Sequence, residues 1–254
     1  MVQDSVRSSG TGRRSLVVRA GRMLWRLLAH GTEREMLWLR WGKSKAVFQP
    51  YNETSRNRYP RIFRFVQSAL GREGEHRILS FGCSTGEEVF SLRRYFPKAF
   101  LKGIDINAAN IAVCRKRLKR ARDERISFAV ADGTQAEPAG AYDAIFCMAV
   151  LKHGDLKKPD VTRCDHLLPF ESFAAAVADM ARCLKPGGLL VIRHSNFRLR
   201  DAPAGKAFET IFRAPNPNPE ATPIFGPDNA RMPGVHYRDA VFRKMPSRPQ
   251  ASAP

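Results

Sequence analysis

The sequence predicts an α/β fold in which helices cover both faces of a mostly parallel central sheet. Short apolar runs alternate with helix-patterned segments from residue 76 onward, and a glycine-rich turn follows the first run. Aspartates end the next two runs. With 254 residues, 43% of them hydrophobic, the chain can form one such domain and a flanking segment.

The predicted strands share a short length and an apolar composition, as expected for strands that are buried on both faces. They are residues 76–82, 99–106, 126–132, 142–150 and 189–195. The predicted helices share apolar residues at a spacing of three or four. They are residues 86–96, 107–122, which Asn107 caps, and 169–188, which ends in Lys-Pro-Gly-Gly.

The last part of the chain is rich in Pro and Gly and predicts a closing hairpin. Its strands are residues 208–212 and 239–244, joined by the long loop 213–238. A loop of that length is either functional or mobile. Within it, residues 222–232 are expected to form a lid on the acceptor side, with Asp228 and Arg231 available for polar contacts.

Four regions are expected along the chain. They are a disordered basic tail (1–13), a helical N-terminal segment (14–60), the main domain (61–246) and a disordered tail (247–254). Residues 14–29 form a basic amphipathic helix that docks on its own domain or lies on an anionic membrane. No apolar run reaches the roughly 18 residues of a membrane span, and no secretory pattern is present, so a soluble, cytoplasmic protein is expected.

The net charge of +19 raises the question of a nucleic-acid partner. The excess lies mainly ahead of the main domain and in residues 115–122, and neither cluster is interleaved with aromatic residues. Nucleic acid is therefore an open but not favoured partner. The five cysteines are an odd number without close pairs, so neither a disulfide framework nor a metal site is predicted.

The turn after the first strand reads Gly82-Cys83-Ser84-Thr85-Gly86-Glu87-Glu88. Its glycines allow a tight turn and a close approach to a ligand. A pyrophosphate needs the positive N-terminus of the following helix, and two glutamates there would repel it. S-adenosylmethionine carries a sulfonium and an ammonium group, so the acidic turn favours this ligand over a dinucleotide.

Further polar residues follow the other strands. Asp105 ends the second strand, where a carboxylate can accept the ribose hydroxyls of an adenosine. Asp132 ends the third strand and either contacts the adenine amino group or caps its loop. Cys147 and Met148 end the fourth strand near the expected cofactor, and His153 lies a few residues beyond.

Three stretches together resemble the chemotaxis receptor methyltransferases, the CheR family. They are GCSTGEEVFSL (82–92), LKPGGLLVIRHSN (184–196) and the N-x-T-x-x-x-R spacing of Asn52, Thr54 and Arg58. The resemblance implies a Rossmann-like class I methyltransferase fold with S-adenosylmethionine as cofactor. The expected cofactor-binding residues are Asn52, Thr54, Arg58, Gly82, Cys83, Ser84, Gly86, Glu88, Asp105, Ile106, Asp132, Gly133, Cys147 and Met148.

The sequence departs from that family after the fourth strand, where CMAVLKHG (147–154) replaces CRNVLIYF. This departure implies an acceptor other than a receptor glutamate. His153 is the candidate for a catalytic base or for orienting the acceptor, against the alternative of a solvated loop histidine. Tyr51 and Tyr59 are further candidates.

The resulting hypothesis is an S-adenosylmethionine-dependent methyltransferase that acts on a small-molecule or protein acceptor. An RNA methyltransferase is an alternative that charge alone favours. The CMAV stretch opposes it, because base methylases often carry an Asn/Asp-Pro-Pro-aromatic motif there. A non-catalytic binding or scaffold protein on the same fold is the other alternative, and a dehydrogenase is the least favoured.

Overall fold

The computed structural model describes residues 48, 49, 54–216 and 222–246. Seven strands form one sheet in the order β3-β2-β1-β4-β5-β7-β6. The strands are Arg77–Phe81 (β1), Phe100–Asp105 (β2), Ile126–Val130 (β3), Tyr142–Met148 (β4), Leu184–Arg193 (β5), Phe208–Arg213 (β6) and Asp239–Lys244 (β7). The α-helices are Pro60–Leu70 (α1), Glu87–Tyr95 (α2), Ala108–Ala121 (α3) and Phe170–Cys183 (α4).

The first five strands pair in parallel, and β7 runs antiparallel between β5 and β6. The predicted fold class and the closing hairpin are therefore confirmed. Because β1 to β4 point the same way, the segments that follow them meet at one edge of the sheet. This edge carries the candidate site.

Each face of the sheet has its own core. Helices α1, α2 and α3 cover one face, where Phe63, Leu92 and Ile111 are almost completely buried. Helix α4 and the segments after β4 and β5 cover the other face, with Phe173 and Phe197 at its centre. Burying each such side chain stabilises the folded state by roughly 1.5–3 kcal/mol. The packing on both faces therefore holds the strands that carry this edge in place.

The boundary between α4 and β5 differs from the prediction. The helix ends at Cys183, five residues before the predicted bound, and Leu184 already pairs with Tyr142 of β4. Pro186 disfavours a helical conformation at Lys185, which explains the early end. The register then shifts before Leu189 pairs with Ala144, so the Lys-Pro-Gly-Gly stretch belongs to the start of β5.

The loop 222–232 is packed into the domain, which differs from the expected lid. Phe225 is completely buried, and the Asn229 side-chain oxygen accepts a hydrogen bond from the Phe170 amide at 2.7 Å. Arg231 donates to the carbonyl oxygens of Lys158 and Val161, and Asp228 accepts from the Ala230 amide within its own turn. The two polar side chains thus stabilise loops.

Several predictions fall outside the described residues. They are the helix at 14–29, both terminal tails, Tyr51 and Asn52. Among the helices that are described, none is long and apolar enough to cross a membrane. Phe48, from the predicted N-terminal segment, is buried against the core of the main domain.

Candidate active site

The turn after β1 has a conformation that needs glycine at two positions. Gly86 has a φ of +85° as the N-cap of α2, in the left-handed region that favours glycine. A Cβ atom at Gly82 would lie 2.4 Å from Val150 Cγ2, so Gly82 lets this turn approach the segment after β4. Both glycines therefore act as the sequence predicted, in shaping a tight turn.

Asp105 connects the turn to the end of β2. Its Oδ2 accepts a hydrogen bond from the Ser84 amide at 2.7 Å, and its Oδ1 accepts from the Asn107 amide at 2.9 Å. The Asn110 side-chain amide donates to the same Oδ1 at 3.2 Å. Asn107 caps α3 as predicted, because its Oδ1 accepts from the Asn110 amide. Asp105 thus orders the loops around the site, a role that the sequence did not predict, and its expected ribose contact stays a prediction.

Glu88 is the acidic group of this site. Its Oε1 accepts a hydrogen bond of 2.8 Å from the Ser80 hydroxyl, and Ser80 itself is almost completely buried. Burial raises the pKa of Glu88 to about 7, against the lowering effect of the Ser80 hydrogen bond. A cation bound nearby would shift Glu88 toward its charged form.

A small cavity, here called the glycine-loop cavity, brings together seven of the predicted cofactor residues. These are Thr54, Arg58, Gly82, Cys83, Ser84, Glu88 and Met148. Ser55, Tyr59 and Phe63 complete its lining. The Ser84 hydroxyl is buried there and has no hydrogen-bond partner among the described residues. A buried polar group without a partner is costly, so this hydroxyl fits the surface of a ligand site.

A second cavity of about 210 Å³ contains Asp132 and Gly133 and is called the Asp132 cavity. Its walls include Phe81 at the end of β1 and Ser172 and Ala176 on α4. The Thr134 hydroxyl in its lining is buried and lacks a hydrogen-bond partner within the described ranges. Phe48 lines this cavity, and Thr54 lines the glycine-loop cavity.

The cysteines of the site are not suited to act as nucleophiles. A contact with the Cys114 thiol and burial raise the pKa of Cys83 well above its usual value. Burial, together with the charge of Glu88, raises the pKa of Cys147. Reactive thiols have lowered pKa values, so both remain protonated packing groups. Ile106 is partly buried directly after Asp105.

His153 does not line either cavity. It caps the short 3-10 helix Gly154–Lys157, where its Nδ1 accepts a hydrogen bond from the Asp155 amide at 3.3 Å. Its backbone amide donates to the Asn196 side-chain oxygen at 2.8 Å. This geometry describes a helix-capping histidine, and a catalytic role for His153 stays a prediction without support from it.

His194 is the histidine that the structure places beside the site. It follows β5, and its ring centroid lies 5.6 Å from that of Tyr59, which lines the glycine-loop cavity. Burial, and secondarily the charges of Arg193, Lys152 and Arg58, lowers the pKa of His194 to about 3. The ring is therefore neutral at physiological pH. The sequence signal that could have identified His194 as a site residue was its position at the end of the fifth strand.

Backbone strain is concentrated at the same edge. Ser84 after β1, Ala149 after β4 and His194 after β5 are non-glycine residues with φ values of +49°, +60° and +55°. Each such residue costs of the order of 1 kcal/mol, and strain of this kind clusters at functional sites. The three strand ends therefore carry a conformation that the surrounding packing imposes.

The residues present fit S-adenosylmethionine better than a dinucleotide. Glu88 provides a partly buried carboxylate for a cationic ligand, and Ser84 provides a hydroxyl that no other described residue bonds. Asp132 and Thr134 provide polar groups in the neighbouring cavity. Glu87 and Glu88 in the first turn of α2 oppose a pyrophosphate at that helix N-terminus.

Comparisons with known proteins agree with this fit. Residues 78–188 match the family model described as a methyltransferase domain. Trans-aconitate 2-methyltransferase of Deinococcus radiodurans is 27% identical over 154 residues, which are 58% of this chain and 50% of that protein. The protein of the same name from an Acidovorax species is 30% identical over 116 residues, 46% of this chain and 37% of that protein.

The chain thus spans half the length, or less, of these curated relatives. A solved structure of phosphoethanolamine N-methyltransferase 2 from Haemonchus contortus, in complex with S-adenosyl-L-methionine, has a TM-score of 0.42 and 18% identity. The alignment covers 63% of this chain and 32% of the chain in that structure.

These relatives correct the expected resemblance to the chemotaxis receptor methyltransferases, because they are trans-aconitate methyltransferases. The predicted Rossmann-like methyltransferase fold is confirmed by the family match and by the sheet order, which is typical of class I methyltransferases. Residues 78–188 therefore match a methyltransferase domain, and the sheet around them has the class I methyltransferase fold.

Proposed function

We propose that the protein transfers the methyl group of S-adenosylmethionine to a small-molecule acceptor. The observation that carries this proposal is that one cavity holds both the Glu88 carboxylate and the Ser84 hydroxyl, which has no hydrogen-bond partner among the described residues. This cavity lies beside the stretch that matches a methyltransferase domain. The names of the relatives support a small molecule as acceptor, and they make trans-aconitate the first compound to assay.

S-adenosylmethionine supplies a methyl group on a positively charged sulfur. In this proposal Glu88 balances the positive charge of the donor, and the Ser84 hydroxyl forms a hydrogen bond with it. Asp105 holds the turn in shape through the Ser84 amide. Asp132 and Thr134 bind the adenosine end in the neighbouring cavity. The remaining predicted residues of the glycine-loop cavity form its walls.

The acceptor is oriented on the side of Tyr59 and His194 in this proposal. Methyl transfer relies mainly on proximity and orientation, and a base is needed only for an acceptor that must lose a proton. A carboxylate acceptor needs none. For a hydroxyl or amine acceptor, the neutral ring of His194 is placed to orient the acceptor through a hydrogen bond, because it contacts Tyr59 in the cavity lining. Its lowered pKa makes it a weak base, so its role here is orientation.

In this proposal, the resemblance to chemotaxis receptor methyltransferases concerns only the residues of the donor cavity. Thr54, Arg58 and Glu88 lie together there, in agreement with that resemblance. The segment 147–154, which departs from that family, runs from the end of β4 to the first residue of the 3-10 helix Gly154–Lys157, and this proposal places it on the acceptor side. The proposal therefore shares the donor site with that family and assigns a different acceptor.

The proposal is tested with S-adenosylmethionine labelled in its methyl group. We expect label to appear in trans-aconitate or in another small molecule of a metabolite extract, and Glu88→Gln to reduce transfer at least tenfold. Glu209→Gln is the matched control, because Glu209 is an exposed residue of β6 and lies outside the glycine-loop cavity and the Asp132 cavity. Label that appears only in protein or RNA would contradict the proposed acceptor class.

A further inference from the structure

An open groove of about 790 Å³ lies between α2, α3 and the segment before α1. We call it the α2–α3 groove. Three arginines, Arg56, Arg117 and Arg120, line it together with the hydroxyl residues Thr54, Ser55 and Thr85. A volume of this size suits a small molecule rather than a single ion.

The charges in the groove do not cancel. The Arg117 guanidinium donates to Glu87 Oε1 and to the Thr85 carbonyl oxygen, both at 2.7 Å, and lies 4.5 Å from the centre of the Phe90 ring. The carboxylate of the groove is thereby neutralised. Arg56 and Arg120 are exposed, and within the described ranges neither has an ion pair or a side-chain hydrogen bond. The groove therefore carries an excess of two positive charges.

The wall formed by residues 54–57 is held in place against α2. The Asn57 amide donates to the Ser91 hydroxyl at 2.9 Å, and the Tyr95 hydroxyl donates to Asn57 Oδ1 at 2.8 Å. Ser91 in turn donates to the Glu87 carbonyl oxygen at 2.7 Å. Arg56 is thus presented from a fixed backbone, which lowers the entropic cost of binding a ligand.

The groove adjoins the glycine-loop cavity, because Thr54 and Ser55 line both. We propose that the α2–α3 groove binds the multiply charged anionic part of the methyl acceptor. Guanidinium groups recognise phosphate and carboxylate through paired hydrogen bonds, and the three hydroxyls add further donors. The assignment of the ligand as acceptor rests on the proposed function, whereas anion binding itself can be measured independently.

Calorimetry at low salt tests this inference with pyrophosphate and trans-aconitate as probes, which distinguish a phosphate from a carboxylate source. We expect at least one probe to bind wild-type protein, and Arg56→Gln and Arg120→Gln each to weaken it at least fivefold. Lys206→Gln is the matched control, because it removes an exposed charge from the 3-10 helix Pro203–Ala207, outside the groove. It should leave the affinity within twofold.

Absence of binding by both probes, or an equal loss in all three variants, would overturn the inference. A short single-stranded RNA that binds more tightly than either probe, and loses affinity in the same two variants, would replace it with a nucleic-acid surface. S-adenosylhomocysteine should bind wild type and both arginine variants equally. If it binds none of them, the proposed function fails, whatever the anion result.

Discussion

Ser84 and Asp105 are joined by a hydrogen bond of 2.7 Å from the Ser84 amide to Asp105 Oδ2, although they are 21 residues apart in sequence. One residue lies in the turn after β1 and the other ends β2. Asp105 is 8% exposed, and its other oxygen accepts from the Asn107 amide. The carboxylate therefore holds the glycine-rich turn to the end of the neighbouring strand.

Replacing Asp105 by Asn should destabilise the fold. The amide NH₂ group would face an N–H donor of Ser84 or Asn107, and charge-assisted hydrogen bonds would be lost. We expect the free energy of unfolding to fall by about 2–4 kcal/mol in urea denaturation. Asp132→Asn makes the same chemical change at an exposed position of the same edge and should cost less than about 0.5 kcal/mol. Equal losses would show that Asp105 has no special structural role.

Glu88 should make stability depend on pH. Its pKa of about 7 lies above the usual value of 4.5 for a glutamate, so the folded state binds the proton more tightly than the unfolded state. This contribution to stability is fully present below pH 4.5 and is lost as the pH rises to about 7. Glu88→Gln should therefore stabilise the protein at pH 8 relative to wild type, by about 1–3 kcal/mol, and much less at pH 4. A difference that does not change with pH would contradict the raised pKa.

The same carboxylate should couple donor binding to pH. A cationic ligand needs the ionised form of Glu88, which is the minor form below pH 7. We expect the affinity for S-adenosylhomocysteine, which carries the ammonium group, to rise about tenfold between pH 6 and pH 8. In Glu88→Gln the affinity should be weak and nearly constant over this range. A wild-type affinity that stays flat would remove Glu88 from the donor site.

The strain at Ala149 can be measured directly. With a φ of +60°, an alanine at this position costs about 1 kcal/mol relative to glycine, partly offset by the greater freedom of an unfolded glycine. Ala149→Gly should raise the thermal midpoint slightly, and Ala149→Val should lower it by several degrees because a branched residue disfavours this conformation. The two variants should shift the midpoint in opposite directions, and a shift in the same direction would indicate that packing dominates there.

Local signals account for what the sequence could predict. The strands, the glycine-rich turn and the capping residue Asn107 are encoded in short patterns, and these placed Ser84, Glu88 and Asp105 at one edge of the sheet. The cofactor residues that line the glycine-loop cavity came partly from the family resemblance. Both kinds of signal depend on residues close together in the chain.

Tertiary contacts decide what the sequence could not predict. His194 became a site residue only because β5 brings it against Tyr59, far away in the chain. The segment 222–232 is packed rather than lid-like because Asn229 bonds the Phe170 amide 59 residues away. The α2–α3 groove arises because the fold brings Arg56 and Arg120, which are far apart in sequence, to one lining. Short sequence patterns do not encode these arrangements of residues that are distant in the chain.

Calorimetry with S-adenosylhomocysteine on wild type and Ser84→Ala, with NADH as a control ligand, tests whether the glycine-loop cavity binds the methyl donor. The Ser84 hydroxyl has no hydrogen-bond partner among the described residues, so its removal should leave the free energy of unfolding unchanged or slightly higher. The prediction is that wild type binds S-adenosylhomocysteine and not NADH, and that Ser84→Ala binds S-adenosylhomocysteine at least fivefold more weakly. A folded wild type that binds no S-adenosylhomocysteine, or a Ser84→Ala variant with wild-type affinity, would contradict it.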